Sequence, residues 1–167
     1  TGLGNLNTIG DGLFVYSNPA LSSISGMDVL NSVGGDIAIY NNQSLTSLAS
    51  LISLSSVGGG ANIGSNPLLT SLSGLDAITS LGSNLSIYNN PLITDLSALS
   101  QIASVGEIIY IADNAALTNI TGLGNIDLSS ILELYLQNNP GVSYCELPNI
   151  CAYVADPSNA ASISGNA

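Results

Sequence analysis

The chain of 167 residues contains no lysine, no arginine and no histidine, against 11 acidic residues, so its formal net charge is -11 at pH 7. These absences exclude whole classes of function. Nucleic-acid binding rests on cationic side chains that neutralise phosphates, and none is present. Recognition of phosphate or carboxylate groups by arginine forks is excluded as well, as is a basic face for binding membrane surfaces. A serine nucleophile would lack the histidine or lysine that normally activates it. We therefore expect no enzyme activity and no cofactor. Zinc is disfavoured, because two cysteines without histidine leave a tetrahedral site half filled. No EF-hand or nonapeptide calcium motif is present. Apolar runs never reach the roughly 18 residues that span a bilayer, so no membrane insertion is expected.

What remains is apolar and uncharged. Hydrophobic residues make up 46% of the chain and charged residues 7%, with a mean hydropathy of +0.44. A disordered acidic chain is poor in Leu, Ile and Val, so this composition predicts a packed domain with a surface of Ser, Thr, Asn and Gly. Such a surface points to an extracellular or cell-surface location.

The phrase "LSIYNNPLITDLSALSQIASV" at Leu85–Val105 returns as "IAIYNNQSLTSLASLISLSSV" at Ile37–Val57. Its closing Asn recurs at Asn18, Asn42, Asn66, Asn90, Asn114 and Asn139, a spacing of 24 four times and then 25. A fixed period in the twenties is the signature of a solenoid, with leucine-rich repeats as the leading form. Five and three places before each Asn stand apolar pairs such as Leu13 and Val15, Ile37 and Ile39, or Leu85 and Ile87. This alternation predicts a short strand with one buried face. After the Asn the apolar spacing becomes three, as in Leu69, Leu72, Leu75, Ile78 and Leu81, which fits 3₁₀ turns better than α-helix. Gly26, Gly74 and Gly122 recur among these bends, where positive φ is expected. The predicted fold is a β-rich solenoid of 24-residue rungs, with a parallel β-sheet on one face and tight turns on the other. The recurring Asn is expected to form a structural ladder, its amide bonding backbone groups of neighbouring rungs.

Residues 1–143 read as the solenoid, entering a rung half-way, because "TGLGNL" matches "SGLDAI" at Ser73–Ile78. With no signal-peptide pattern at its start, the chain is expected to be a processed or excised piece. Residues 144–167 read as a C-terminal cap. "CELPNICAYVADP" predicts a short helix, and Ala161, Ile163 and Asn166 restore the strand spacing of one further partial rung. Cys145 and Cys151 are candidates for a local disulfide if the protein is secreted; two structural thiols are the alternative.

"LSIYNNPLITDLSAL" and its copies resemble the leucine-rich repeat variant of receptor L domains and of many secreted bacterial surface proteins. In this variant the apolar residue falls three places after the Asn, at Leu21, Leu45, Leu69, Ile93 and Leu117. The stretch "YCELPNICAYVADPSNAASISGNA" is similar to the terminal cap of those surface proteins, often exported by the type IX route. A further cysteine commonly follows the final Asn-Ala in that family, and here none does. The resemblance implies the fold and an extracellular location; it names no ligand.

The outward positions form columns. Two places before the Asn stand Tyr16, Tyr40, Gly64, Tyr88, Ala112 and Gln137; four places before it stand Phe14, Ala38, Asn62, Ser86, Tyr110 and Tyr135. Five of the seven tyrosines thus share one predicted face with Phe14. Tyrosine offers large amphipathic contact area, so Phe14, Tyr16, Tyr40, Tyr88, Tyr110 and Tyr135 are candidate binding residues for a protein or glycan on a cell surface. An adhesion or assembly module is the expected function. Self-association end to end is a further form of it, because no cap is visible on the first rung. A second row, Ser22, Thr46, Thr70, Thr94 and Thr118, suggests ice binding as the alternative. Its neighbouring row, Ser23, Ser47, Ser71, Asp95 and Asn119, breaks the double Thr array that such a face would favour. Paired carboxylates can hydrolyse glycosides, and Asp11, Asp36, Glu107 and Glu133 occupy similar places on the turn before the strand. Gly59 and Ser83 interrupt that series, and we read the four as solvated edge charges.

Overall fold

A computed structural model describes residues 3–143 and 147–167. In chain order its elements are β1 (Thr8–Ile9), β2 (Leu13–Tyr16), β3 (Ser32–Val33), β4 (Ile37–Tyr40), β5 (Ser56–Val57) and β6 (Ala61–Gly64). They continue with β7 (Ser80–Leu81), β8 (Leu85–Tyr88), β9 (Ser104–Val105), β10 (Ile108–Ala112), β11 (Glu133–Gln137), helix α1 (Pro148–Ala155) and β12 (Ala160–Ser164). Short 3₁₀ helices stand at Ala49–Leu51, Ser97–Leu99, Thr121–Leu123 and Leu128–Ser130. The triplet spacing of apolar residues is thus expressed as bends and 3₁₀ turns.

The strands form two parallel sheets. The larger runs β12-β11-β10-β8-β6-β4-β2 and the smaller β1-β3-β5-β7-β9, so the chain alternates between them in a β-rich, solenoid-like path. Register in the large sheet pairs Leu13 with Ile37, Ile37 with Ala61, Ala61 with Leu85, Leu85 with Ile109 and Ile109 with Leu134. Like inward residues therefore stack on like, and Ile37, Ile39, Ile63, Leu85, Ile87 and Ile111 are fully buried. Between the sheets they meet the triplet residues, among them Leu69, Leu72, Leu75 and Ile78. Each such side chain stabilises the fold by about 1.5–3 kcal/mol relative to exposure.

Two features of the back differ from expectation. Tight turns alone were expected there, whereas two-residue strands of Thr-Ile, Ser-Val or Ser-Leu pair across it as the second sheet. Two residues are too few to display an alternating pattern, so this sheet has no periodic signature. Gly26 and Gly74 have φ of +93° and +113°. Gly122 does not; it lies inside a 3₁₀ helix, and it is steric closeness that selects glycine there. A Cβ on Gly122 would stand 1.8 Å from the Leu96 carbonyl oxygen.

The side chains of Asn42, Asn66, Asn90, Asn114 and Asn139 are fully buried. Each Oδ1 accepts the backbone N–H of the preceding Asn in the column, as from Asn42 to Asn66 at 3.1 Å and from Asn66 to Asn90 at 3.1 Å. Each Nδ2 donates to a strand carbonyl one coil back, as from Asn66 to Ile39 at 2.9 Å and from Asn90 to Ile63 at 2.9 Å. Asn166 joins the column by accepting from the Asn139 N–H. The residue just before each Asn (Ser17, Asn41, Ser65, Asn89, Asp113, Asn138) has φ between 51° and 57°. This left-handed turn swings the chain off the sheet, and short polar residues tolerate it best.

At the C-terminal end, Ile150 and Tyr153 of α1 are buried, and Asn149 Nδ2 donates to the Leu123 and Ile126 carbonyls. β12 then pairs with β11, with Ile163 beside Leu136. Of the candidate disulfide, Cys145 lies outside the described residues, and Cys151 sits half-buried on α1. No helix among the described residues is long and apolar enough to cross a membrane.

The outer face of the large sheet as candidate binding site

Alternate residues of a strand point to opposite faces, so burying Leu13 and Val15, or Ile37 and Ile39, turns their neighbours outward. The parallel register then sets Tyr16 beside Tyr40. Their rings stack with centroids 5.0 Å apart and planes 5° from parallel. Further along, Tyr88 and Tyr110 meet edge to face at 6.0 Å, and Tyr110 and Tyr135 at 5.8 Å. The face thus carries two aromatic groups. Phe14 and Tyr16 are 56% and 50% exposed, while Tyr40, Tyr88, Tyr110 and Tyr135 are half-buried. Gly64, a gap in the sequence column, is covered by the Tyr88 ring: a Cβ there would lie 2.2 Å from Tyr88 Cζ.

Between the aromatic groups lies a hollow of about 270 Å³, lined by Phe14, Asp36, Ala38, Tyr40, Asn62 and Asn84 among others. Asp36 Oδ1 accepts the Gly60 N–H at 2.6 Å, and Asn84 Oδ1 accepts the Ile108 N–H at 3.1 Å. Both side chains are therefore held at the strand entrance by one atom, and their other polar atom has no hydrogen bond among the described residues. Asn62 Oδ1 is buried and has no partner. The tyrosine columns were visible in the sequence; this polar group was not, because each coil contributes a different residue to it.

Of the four acidic residues in the interrupted series, Glu133 opens β11 and does not lie on the preceding turn. It accepts a hydrogen bond from the Tyr135 hydroxyl. Ser83 Oγ donates to Glu107 at 3.1 Å. No group of three or more His, Cys, Asp or Glu side chains is placed to hold a metal ion among the described residues.

Ser22, Thr46, Thr70, Thr94 and Thr118 are all exposed in one row. Their hydroxyls are partly engaged, with Thr46 Oγ1 donating to the Ser22 carbonyl at 3.2 Å and Thr118 Oγ1 to the Thr94 carbonyl at 3.4 Å. In the adjoining row, Ser23 bridges Ser47 and Asp95 bridges Asn119.

Hydrogen bonds from Ser97, Ser129 and Ser158 hold Asp95, Asp127 and Asp156 below their ordinary value of 3.8. Their contribution to stability is fully present above 3.8 and is lost as pH falls through the lower folded values. Burial raises Tyr88 and Tyr153 above 10.0, and the bond to Glu133 raises Tyr135. Their contribution is present below 10.0 and is lost as pH rises through the higher folded values. With no histidine in the chain, thermal unfolding should be nearly independent of pH between about 5 and 9 and fall off on both sides. A pronounced step near pH 6–7 in a calorimetric series would contradict this. Comparison with protein-family models, with curated proteins and with solved structures gives no match for this chain.

Proposed function

We propose that the chain is a leucine-rich repeat solenoid of 24-residue rungs and a non-catalytic extracellular module for adhesion or assembly. It binds a protein, a glycan or further copies of itself through its rigid repeat surface. The register of like residues, 24 or 25 apart between neighbouring strands from β2 to β11, supports the repeat reading. One observation carries the binding reading: exposed aromatic rings gather on the outer face of a stiff sheet, beside polar atoms that have no partner. Exposed Phe and Tyr held by a rigid scaffold lose little conformational entropy on contact. Anchors of this kind dominate interface energetics.

Tyr16→Ala combined with Tyr40→Ala should weaken binding to cells or glycans by at least about tenfold, since anchor residues of this type contribute about 2 kcal/mol or more. The far-ultraviolet circular dichroism should not change. Binding equal to wild type in a folded double variant removes this face from the function. Loss of ice shaping in a folded Thr70→Tyr variant would move the function to the Thr row instead. In the self-association form, β12 of one copy meets β2 of the next, the outermost strands of the large sheet among the described residues. Negative-stain electron microscopy over a range of concentrations should then show filaments, and isolated rods at every concentration rule that form out.

A further inference from the structure

The hollow between the aromatic groups has a composition that the rest of the face lacks. Phe14, Ala38, Asn62 and Ser86 are neighbours in register across β2, β4, β6 and β8. Ala38 is small and buried, so the surface steps down between the Phe14 ring and the Asn62 amide. Asp36 and Asn84 stand at the strand entrance on either side of Gly60. That position carries no side chain, and a Cβ on it would lie 2.6 Å from the Asn84 carbonyl oxygen. The result is a recess with an aromatic wall and polar atoms of both senses. Asp36 supplies a free carboxylate oxygen and Asn84 a free amide donor.

We propose that this hollow binds one ring of a neutral sugar, with Phe14 and Tyr40 against its C–H face and Asp36 and Asn84 on its hydroxyls. The inference rests on the reading of this face as the binding surface and gives that surface a ligand class. Size sets the first limit: about 270 Å³ lies just under the usual range of roughly 300–1,000 Å³ for ligand sites, which suits a single small ring. Polarity sets the second. An apolar ligand would bury the free atoms of Asp36 and Asn84 unpaired, a cost that opposes binding. A hydroxyl both donates and accepts, so adjacent hydroxyls can satisfy a carboxylate on one side and an amide N–H on the other. Charge sets the third. An acidic sugar would meet Asp36 inside a chain of net charge -11 that has no cation to receive it. Uronic, sialic and sulfated sugars are therefore rejected.

The test is isothermal titration of the intact protein with neutral oligosaccharides built from glucose, galactose, mannose or N-acetylglucosamine. A glucuronate-containing oligosaccharide serves as the comparison. At least one neutral sugar should bind, and the glucuronate compound should bind at least about tenfold more weakly. Asp36→Asn retains an oxygen for the Gly60 N–H and so keeps the turn intact. It should weaken the neutral sugar by about tenfold or more, as should Phe14→Ala. Ile52→Thr, an exposed change away from the sheet, should have no effect. The proposal is overturned if no neutral sugar binds or if the folded Asp36→Asn and Phe14→Ala variants bind as wild type. Sugar binding that survives Asp36→Asn but is lost in Tyr110→Ala overturns the hollow and leaves the face reading standing. Adhesion lost in the Tyr16→Ala, Tyr40→Ala variant without any sugar binding does the same.

Discussion

Replacing Asn66 by alanine is expected to destabilise the protein by about 1–3 kcal/mol, because it leaves the buried Asn42 N–H unpaired. The Asn42 N–H loses the Asn66 oxygen at 3.1 Å, while the Ile39 carbonyl loses the Asn66 amide at 2.9 Å but keeps its place in the β4–β6 ladder. That N–H cannot reach water, since Asn42 and Asn66 are fully buried. For a chain of this length each kcal/mol lowers the melting temperature by roughly 2–4 °C, so the effect is easily seen by calorimetry. The same change at Asn18 provides the contrast. Asn18 is exposed, and its amide donates to the Tyr16 carbonyl, which water can satisfy instead. Asn18→Ala should cost under about 1 kcal/mol. Equal losses at the two sites would show that the column does not act through its buried backbone partners.

Gly74→Ala should be more severe, for two independent reasons. The residue has φ of +113°, and forcing a side chain into such backbone costs about 1–3 kcal/mol. The added Cβ would also stand 2.2 Å from the Leu48 carbonyl oxygen of the coil before it, and overpacking of this kind costs about 1–3 kcal/mol more. The sum, about 2–6 kcal/mol, is to be read from chemical denaturation with the slope unchanged. Gly26→Ala separates the two effects. Its φ is +93°, but nothing lies within 4 Å of its Cβ position. It should show the backbone cost alone, and a Gly26 variant as damaging as the Gly74 one would argue against the steric part.

Much of the large sheet was legible because its signals repeat. Apolar residues at two-residue spacing before each Asn marked β2, β4, β6, β8, β10 and β11. The Asn itself, a buried polar residue where a coil turns, announced its hydrogen bonding. The triplets after it announced bends. What escaped has physical reasons. The smaller sheet is made of dipeptides such as Ser32–Val33 and Ser56–Val57, and two residues cannot show a period. The left-handed turn before each Asn left a signal, in the Ser, Asn and Asp residues at those positions, that points to it only once φ is known. Gly122 shares a column with Gly26 and Gly74 but serves close approach and not positive φ. The hollow escaped because it arises where the columns break: Ala38 and Asn62 read as interruptions of the aromatic face, and with Gly60 at the strand entrance they make its recess.

The outer face of the large sheet is the proposed working surface. Hydroxyl-radical footprinting, free and bound to a cell surface, tests it most directly, because Phe14 and Tyr16 are exposed and react readily when uncovered. Oxidation of Phe14, Tyr16 and Tyr40 should fall several-fold on binding while Ile52, 63% exposed on another side, reacts as before. Unchanged oxidation of the aromatic residues, with protection appearing along Thr46, Thr70 and Thr94, would contradict it.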